Sequence, residues 1–129
     1  MTTLFDQQPD PDQPKPSLLD GLCEMRRLLQ IGWCQNAVAI DAQGHSVGAS
    51  SPQARCFCLY GARLRAVHNL NQTNDYAFRE ALCQAIEDAI IQLFGLAHSA
   101  PTFNDLPTTS LPLVLQVIDR AIQNAAPSG

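Results

Sequence analysis

Residues 75–94 carry an apolar pattern too broad for an ordinary surface helix. Phe78, Leu82, Ala85, Ile86, Ala89, Ile90, Leu93 and Phe94 recur at three- and four-residue spacing and cover more than one narrow face. Glu80, Glu87 and Asp88 fall off that stripe, and Gly95 supplies a stop signal. A helix this apolar has to be covered on several sides, so the segment predicts a central helix on which the rest of the chain packs.

Three further helices are expected around it. Ser17-Leu18-Leu19-Asp20 reads as a capping box, followed by Leu18, Leu22, Met25 and Leu29 at helical spacing, which predicts a helix over 17–31 ended by a left-handed Gly32. Ser51-Pro52 reads as a cap with proline in the first turn, which predicts a helix over 52–68 with Cys56, Leu59, Tyr60, Leu64 and Val67 inward. Gly61-Ala62 lowers helix propensity inside it, and the return expected for that loss is the close approach of another backbone. Thr108 or Thr109 is the expected cap of a last helix over 110–124, with Val114, Val117, Ile118, Ala121 and Ile122 inward and Pro112 tolerated in its first turn. Between the first two helices, Ala37-Val38-Ala39-Ile40, the turn Asp41-Ala42-Gln43-Gly44 and His45-Ser46-Val47 read as a hairpin. Residues 95–107 read as a loop. The expected fold is therefore mainly α: a compact four-helix domain with a small β-hairpin inserted between helices 1 and 2.

Residues 1–16 differ from the rest of the chain. They hold four of the nine prolines and a net charge of -2 from Asp6, Asp10, Asp12 and Lys15, and they read as a flexible tail or, alternatively, as a docking peptide with Leu4-Phe5 as its anchor. Residues 17–125 are expected to form the single domain, with 126–129 fraying. The N-terminus lacks the basic and apolar regions of a secretory signal, and no apolar run is long enough to span a bilayer. Eight basic against twelve acidic residues give a net charge of -4, which argues against nucleic acid or an anionic membrane as partner. Five cysteines, an odd number, fit reduced thiols in a cytoplasm.

Chemistry-bearing patterns are sparse. There is no phosphate-binding glycine loop, HExxH or nucleotide fingerprint. Cys34, in a loop after a helix, is the best nucleophile candidate, with His45, His68 and His98 as bases. The end of a helix disfavours a thiolate, which counts against it. Zinc binding would draw on Cys34, Cys56 and Cys58, although Cys56-x-Cys58 suits an extended segment better than a helix.

Three segments, in order, carry a resemblance: Trp33-Cys34-Gln35-Asn36-Ala37, then Arg55-Cys56-Phe57-Cys58-Leu59-Tyr60-Gly61-Ala62, then Phe103-Asn104-Asp105. With the last-helix sequence Asp119-Arg120-Ala121-Ile122, this order resembles a bacterial and phage domain family of unknown function, DUF6197. The family pattern is W-x-Q-G-A, C-x-x-G-A and W-N-D before a closing D-R-A-I. This chain departs from it at Asn36 and Phe103. The resemblance covers residues 18–122 and implies no activity; its phage-borne members point toward a regulator or inhibitor.

The candidate binding residues are Trp33, Gln35, Asn36, Phe103, Asn104 and Asp105. Their side chains suit a polar pocket where two loops meet, walled by Trp33 and Phe103; they equally suit hydrogen bonding to exposed backbone at helix ends. Arg55, Arg63 and Arg65, with His68, make the second helix locally basic. That face is expected either to pair with acids of the third helix or to dock an acidic partner. No catalytic residue, metal ligand or cofactor is assigned. The function expected is a non-enzymatic, protein-binding accessory or regulator, with a thiol-dependent enzyme or a zinc domain using Cys34 and Cys56/Cys58 as the rival.

Overall fold

A computed structural model describes residues 15–95 and 97–127. Most of the predicted tail and the last two residues lie outside that range. The order of elements is α1 (Leu18–Ile31), β1 (Ala39–Asp41), β2 (Ser46–Val47), β3 (Ala54–Phe57), α2 (Leu59–Asn69), α3 (Tyr76–Phe94), α4 (Ala100–Asn104) and α5 (Leu111–Ala125). The domain is mainly helical, with a small antiparallel sheet of order β2-β1-β3 between α1 and α2.

The capping box at α1 forms as expected: Ser17 Oγ accepts the Asp20 N–H at 3.1 Å, and Asp20 accepts the Ser17 N–H at 2.9 Å. Gly32 does end α1, but in extended rather than left-handed geometry, with φ -176°. What requires glycine there is space. A Cβ on Gly32 would lie 2.6 Å from the Arg55 carbonyl oxygen. The chain leaving α1 runs parallel beside β3, where Gly32 O accepts the Phe57 N–H and Phe57 O accepts the Cys34 N–H.

The sheet corrects the expected hairpin. Its third strand takes residues that the sequence pattern assigns to the start of the second helix. Ser51-Pro52 opens a turn, not a helix: Ser51 Oγ accepts the Gln53 N–H, and the chain then extends as β3 to pair with β1. A proline after a serine serves a turn as well as a helix start. The helix begins seven residues later, after Cys58, whose sulfur accepts the Gly61 N–H at 3.2 Å. Leu59 and Val67 are buried as expected, while Cys56, Tyr60 and Leu64 are half-buried.

Two smaller corrections concern the second half. The loop 95–107 contains α4, capped by Ser99, which gives five helices rather than four among the described residues. Ser110 occupies the N-cap position of α5, but without a side-chain cap bond. Thr109 faces inward, donating to the Phe103 carbonyl at 2.7 Å.

Packing makes α1 the hub. It lies mainly on α2 and α5 and also meets β3 and α3; α3 packs mainly on α5 and touches α1, α2 and α4. Leu22, Met25 and Leu29 of α1 are fully buried, each contributing roughly 1.5–3 kcal/mol of apolar burial. The breadth of the α3 stripe has a local cause at its end, where Phe94 stacks on Phe103 of α4 with ring centroids 5.3 Å apart.

Candidate functional site

The loop after α1 and the end of α4 meet, although they are about 70 residues apart in sequence. Asn104, the last residue of α4, joins them and is fully buried. Its Oδ1 accepts the Trp33 indole N–H at 2.7 Å and the Leu59 N–H at 3.0 Å. Its Nδ2 donates to the Cys34 carbonyl at 3.1 Å and to Asp105 Oδ1 at 2.9 Å. A primary amide has two donor hydrogens and two acceptor lone pairs, so all four are engaged. The Leu59 N–H is one of the first-turn donors of α2 that its own helix cannot satisfy, so Asn104 also caps that helix from a distance.

Gln35 and Asp105 extend this clasp. Gln35 Nε2 donates to the carbonyls of Asn104 and Leu106 at 2.9 and 3.0 Å. Asp105 Oδ1 also accepts the Asn36 N–H at 2.9 Å. Asn36 has φ 64°, a left-handed turn that asparagine tolerates better than most residues and that glycine would adopt freely. Of the six candidate residues, Trp33, Gln35, Asn36, Asn104 and Asp105 are joined by hydrogen bonds. Phe103 is not: its ring is buried and stacks on Phe94. Among the described residues, no buried side-chain nitrogen or oxygen lacks a partner.

Cys34 sits inside the clasp, and its thiol is directed at the Ala37 carbonyl at 3.7 Å. Burial pushes its pKa up to about 12, and the neighbouring sulfurs of Cys58 and Cys56 and the Asp105 carboxylate push the same way. The thiol therefore stays protonated at neutral pH. The Cys58 thiol is also raised, chiefly by burial. His45 lies in the exposed turn after β1, with Nδ1 3.6 Å from Asp41. All five cysteines are free, and no three His, Cys, Asp or Glu side chains among the described residues are placed to hold a metal ion.

The three predicted arginines separate. Arg55 is on β3, not on a helix, and donates to the nearby Pro52 and Ala54 carbonyls. Arg65 ties α2 to the turn before β3 through the Ala49 and Ser51 carbonyls, both at 2.9 Å, and lies over the Phe57 ring. Arg63 faces outward from α2. Its guanidinium lies 5.1 Å from the Tyr60 ring centre and reaches the Arg79 carbonyl at 3.5 Å. Arg79 in turn lies 5.8 Å from the ring centre of Tyr76, which is 66% exposed. None of the three predicted arginines, nor Arg79, forms an ion pair among the described residues. The expected pairing with acids of the third helix is therefore not formed.

The surface roles of Tyr60, Tyr76 and Arg79 escape a reading of the sequence by segments. Their signal is a repeated Tyr-x-x-Arg, at Tyr60–Arg63 and Tyr76–Arg79, whose three-residue spacing places ring and guanidinium on one helix face.

No curated protein and no solved structure was found to match the chain. A family model, described as a family of unknown function (DUF6197), matches residues 14–124. That match takes in every helix and strand of the fold but for the last residue of α5, and the chain belongs to this family.

Proposed function

We propose that this protein is a non-enzymatic, protein-binding accessory or regulatory module acting in a reducing cytoplasm. The supporting observation is the pair of arginine–tyrosine stacks on adjacent helices, Arg63 on Tyr60 and Arg79 on Tyr76, with no acidic partner among the described residues. Tyrosine and arginine are enriched where proteins bind one another, because each offers a rigid apolar face and a polar tip. The clasp supports the same reading. The Asn104 amide and the Gln35 Nε2 are spent on internal bonds, Asn36 is tied in through its backbone N–H, and burial holds the Cys34 thiol protonated, so Trp33, Gln35, Asn36, Asn104 and Asp105 act chiefly to fix the frame that displays α2 and α3.

The test is capture of a stoichiometric partner by the tagged full-length chain, followed by native mass measurement. Arg63→Glu/Arg79→Glu is expected to lose the complex, and Cys34→Ala to keep it. Retention of the complex by the charge-reversed protein, or its loss in Cys34→Ala of unchanged fold, would count against this reading.

A further inference from the structure

We infer that the α2/α3 face takes a short acidic segment of another protein, with carboxylates on Arg63 and Arg79 and an apolar side chain on Tyr76. The inference rests on the protein-binding reading and adds the chemistry of the partner.

Three observations carry it. First, the Arg63 guanidinium of α2 reaches the backbone carbonyl of Arg79 on α3, while the Arg79 guanidinium reaches the Thr73 carbonyl just before α3, so both arginines belong to the surface where the two helices adjoin. Neighbouring acids leave them available. The Asp75 carboxylate accepts the Phe78 N–H as the cap of α3, Glu87 accepts from the Cys83 thiol, and Glu80 is exposed without contacting either arginine as an ion pair. Second, each guanidinium lies over a ring of its own helix and each arginine is half-buried, which restrains its position in advance. A preorganised planar fork favours carboxylate oxygens that bind two at a time. Third, Tyr76 is the most exposed large apolar side chain among the described residues, and it lies beside the Arg79 charge.

The size of the patch and the charge of the chain select the partner. Two guanidinium groups neutralise few charges, whereas nucleic acids and anionic membranes gain affinity from many such contacts. The net charge of -4 repels an extended polyanion over distances on the order of 10 Å or less, the screening length at cellular salt. A short segment with a few carboxylates is held locally by the two arginines while touching little of the remaining surface.

The experiment is fluorescence anisotropy with the full-length protein and a labelled peptide in which glutamates flank a phenylalanine pair. Its twin carries glutamine at every glutamate. The acidic peptide is expected to bind and its affinity to fall with added salt; the glutamine twin is expected to bind about tenfold more weakly or worse. Arg63→Gln/Arg79→Gln is expected to erase the difference between the two peptides. Tyr76→Ala, at a position too exposed to affect folding, is expected to weaken both. Equal binding of the two peptides, no binding of either, or tighter binding to phosphatidylserine vesicles or single-stranded DNA than to the acidic peptide overturns the inference. Should a captured partner still depend on Arg63 and Arg79 while the acidic peptide is ignored, protein binding survives and its acidic chemistry does not.

Discussion

Asn104 is the residue with most resting on it, and the reason is that it is an amide. Asn104→Ala strands the Trp33 indole N–H, the Leu59 N–H and the Cys34 carbonyl, of which the first two are donors with no ready substitute. At roughly 1–3 kcal/mol for each buried group left unpaired, a loss of about 3 kcal/mol or more in urea-unfolding free energy is expected. Asn104→Asp keeps the shape but turns two donor hydrogens into acceptors facing the Cys34 carbonyl and Asp105. Burial and that acidic neighbour raise the pKa of the new carboxyl, so the variant is closest to wild type in acid and loses stability as pH rises above about 4. Cys34 gives the alkaline counterpart. Its folded pKa of about 12 stands above the ordinary value of 9.0, so the protonated thiol's contribution is complete below pH 9 and is lost between 9 and about 12. The expected slope there is at most about 1.4 kcal/mol per pH unit, and Cys34→Ala should flatten that limb of a stability–pH curve.

Among the elements, α2 shows why a poor helix former can be the right residue. An alanine at position 61 would gain about 1 kcal/mol of helix propensity. Its Cβ, however, would fall 1.9 Å from the Val38 carbonyl oxygen, which crosses the helix there and also accepts the Cys58 N–H. Gly61→Ala is therefore expected to destabilise by about 2 kcal/mol or more in thermal or urea unfolding, because backbone on both sides must move. That close approach was legible in the sequence from the glycine's poor fit to a helix, as was the α1 capping box from its spacing. The start of α2 was not. Ser51-Pro52 satisfies the rules for both a helix cap and a turn, and the choice is made by pairing of Ala54–Phe57 with β1, a contact between distant segments that local spacing does not encode. Short α4 is hidden for a similar reason. Five residues give too little periodicity to read, and Phe103 and Asn104 are held by α3 and by the loop after α1. The meeting of the two loops is an inference from residue type, and the geometry of Asn104 supplies the physical reason that amides stand there. The arginine–tyrosine stacks stay hidden when basic residues are counted by segment and not by helix face.

At the scale of the whole molecule, the domain is held by burial around α1 rather than by charge. Arg26 of α1 meets Asp119 of α5 at 2.6 Å, but their side chains are 33% and 45% exposed. Arg26→Ala is expected to change unfolding free energy by only about 0–1 kcal/mol, with the difference shrinking further in high salt. The clasp has the opposite character. Its bonds join residues 33–36, 59 and 104–106, separated by 45 to 71 positions in the chain. Such a knot cannot be tied until α1, the sheet and α4 have all arrived, and closing long loops is slow. The Leu59 amide is therefore a clock for the entire fold. Its hydrogen should exchange with deuterium only when the whole domain opens, at the rate set by global stability, while amides in the last turn of α5 should exchange through small local openings.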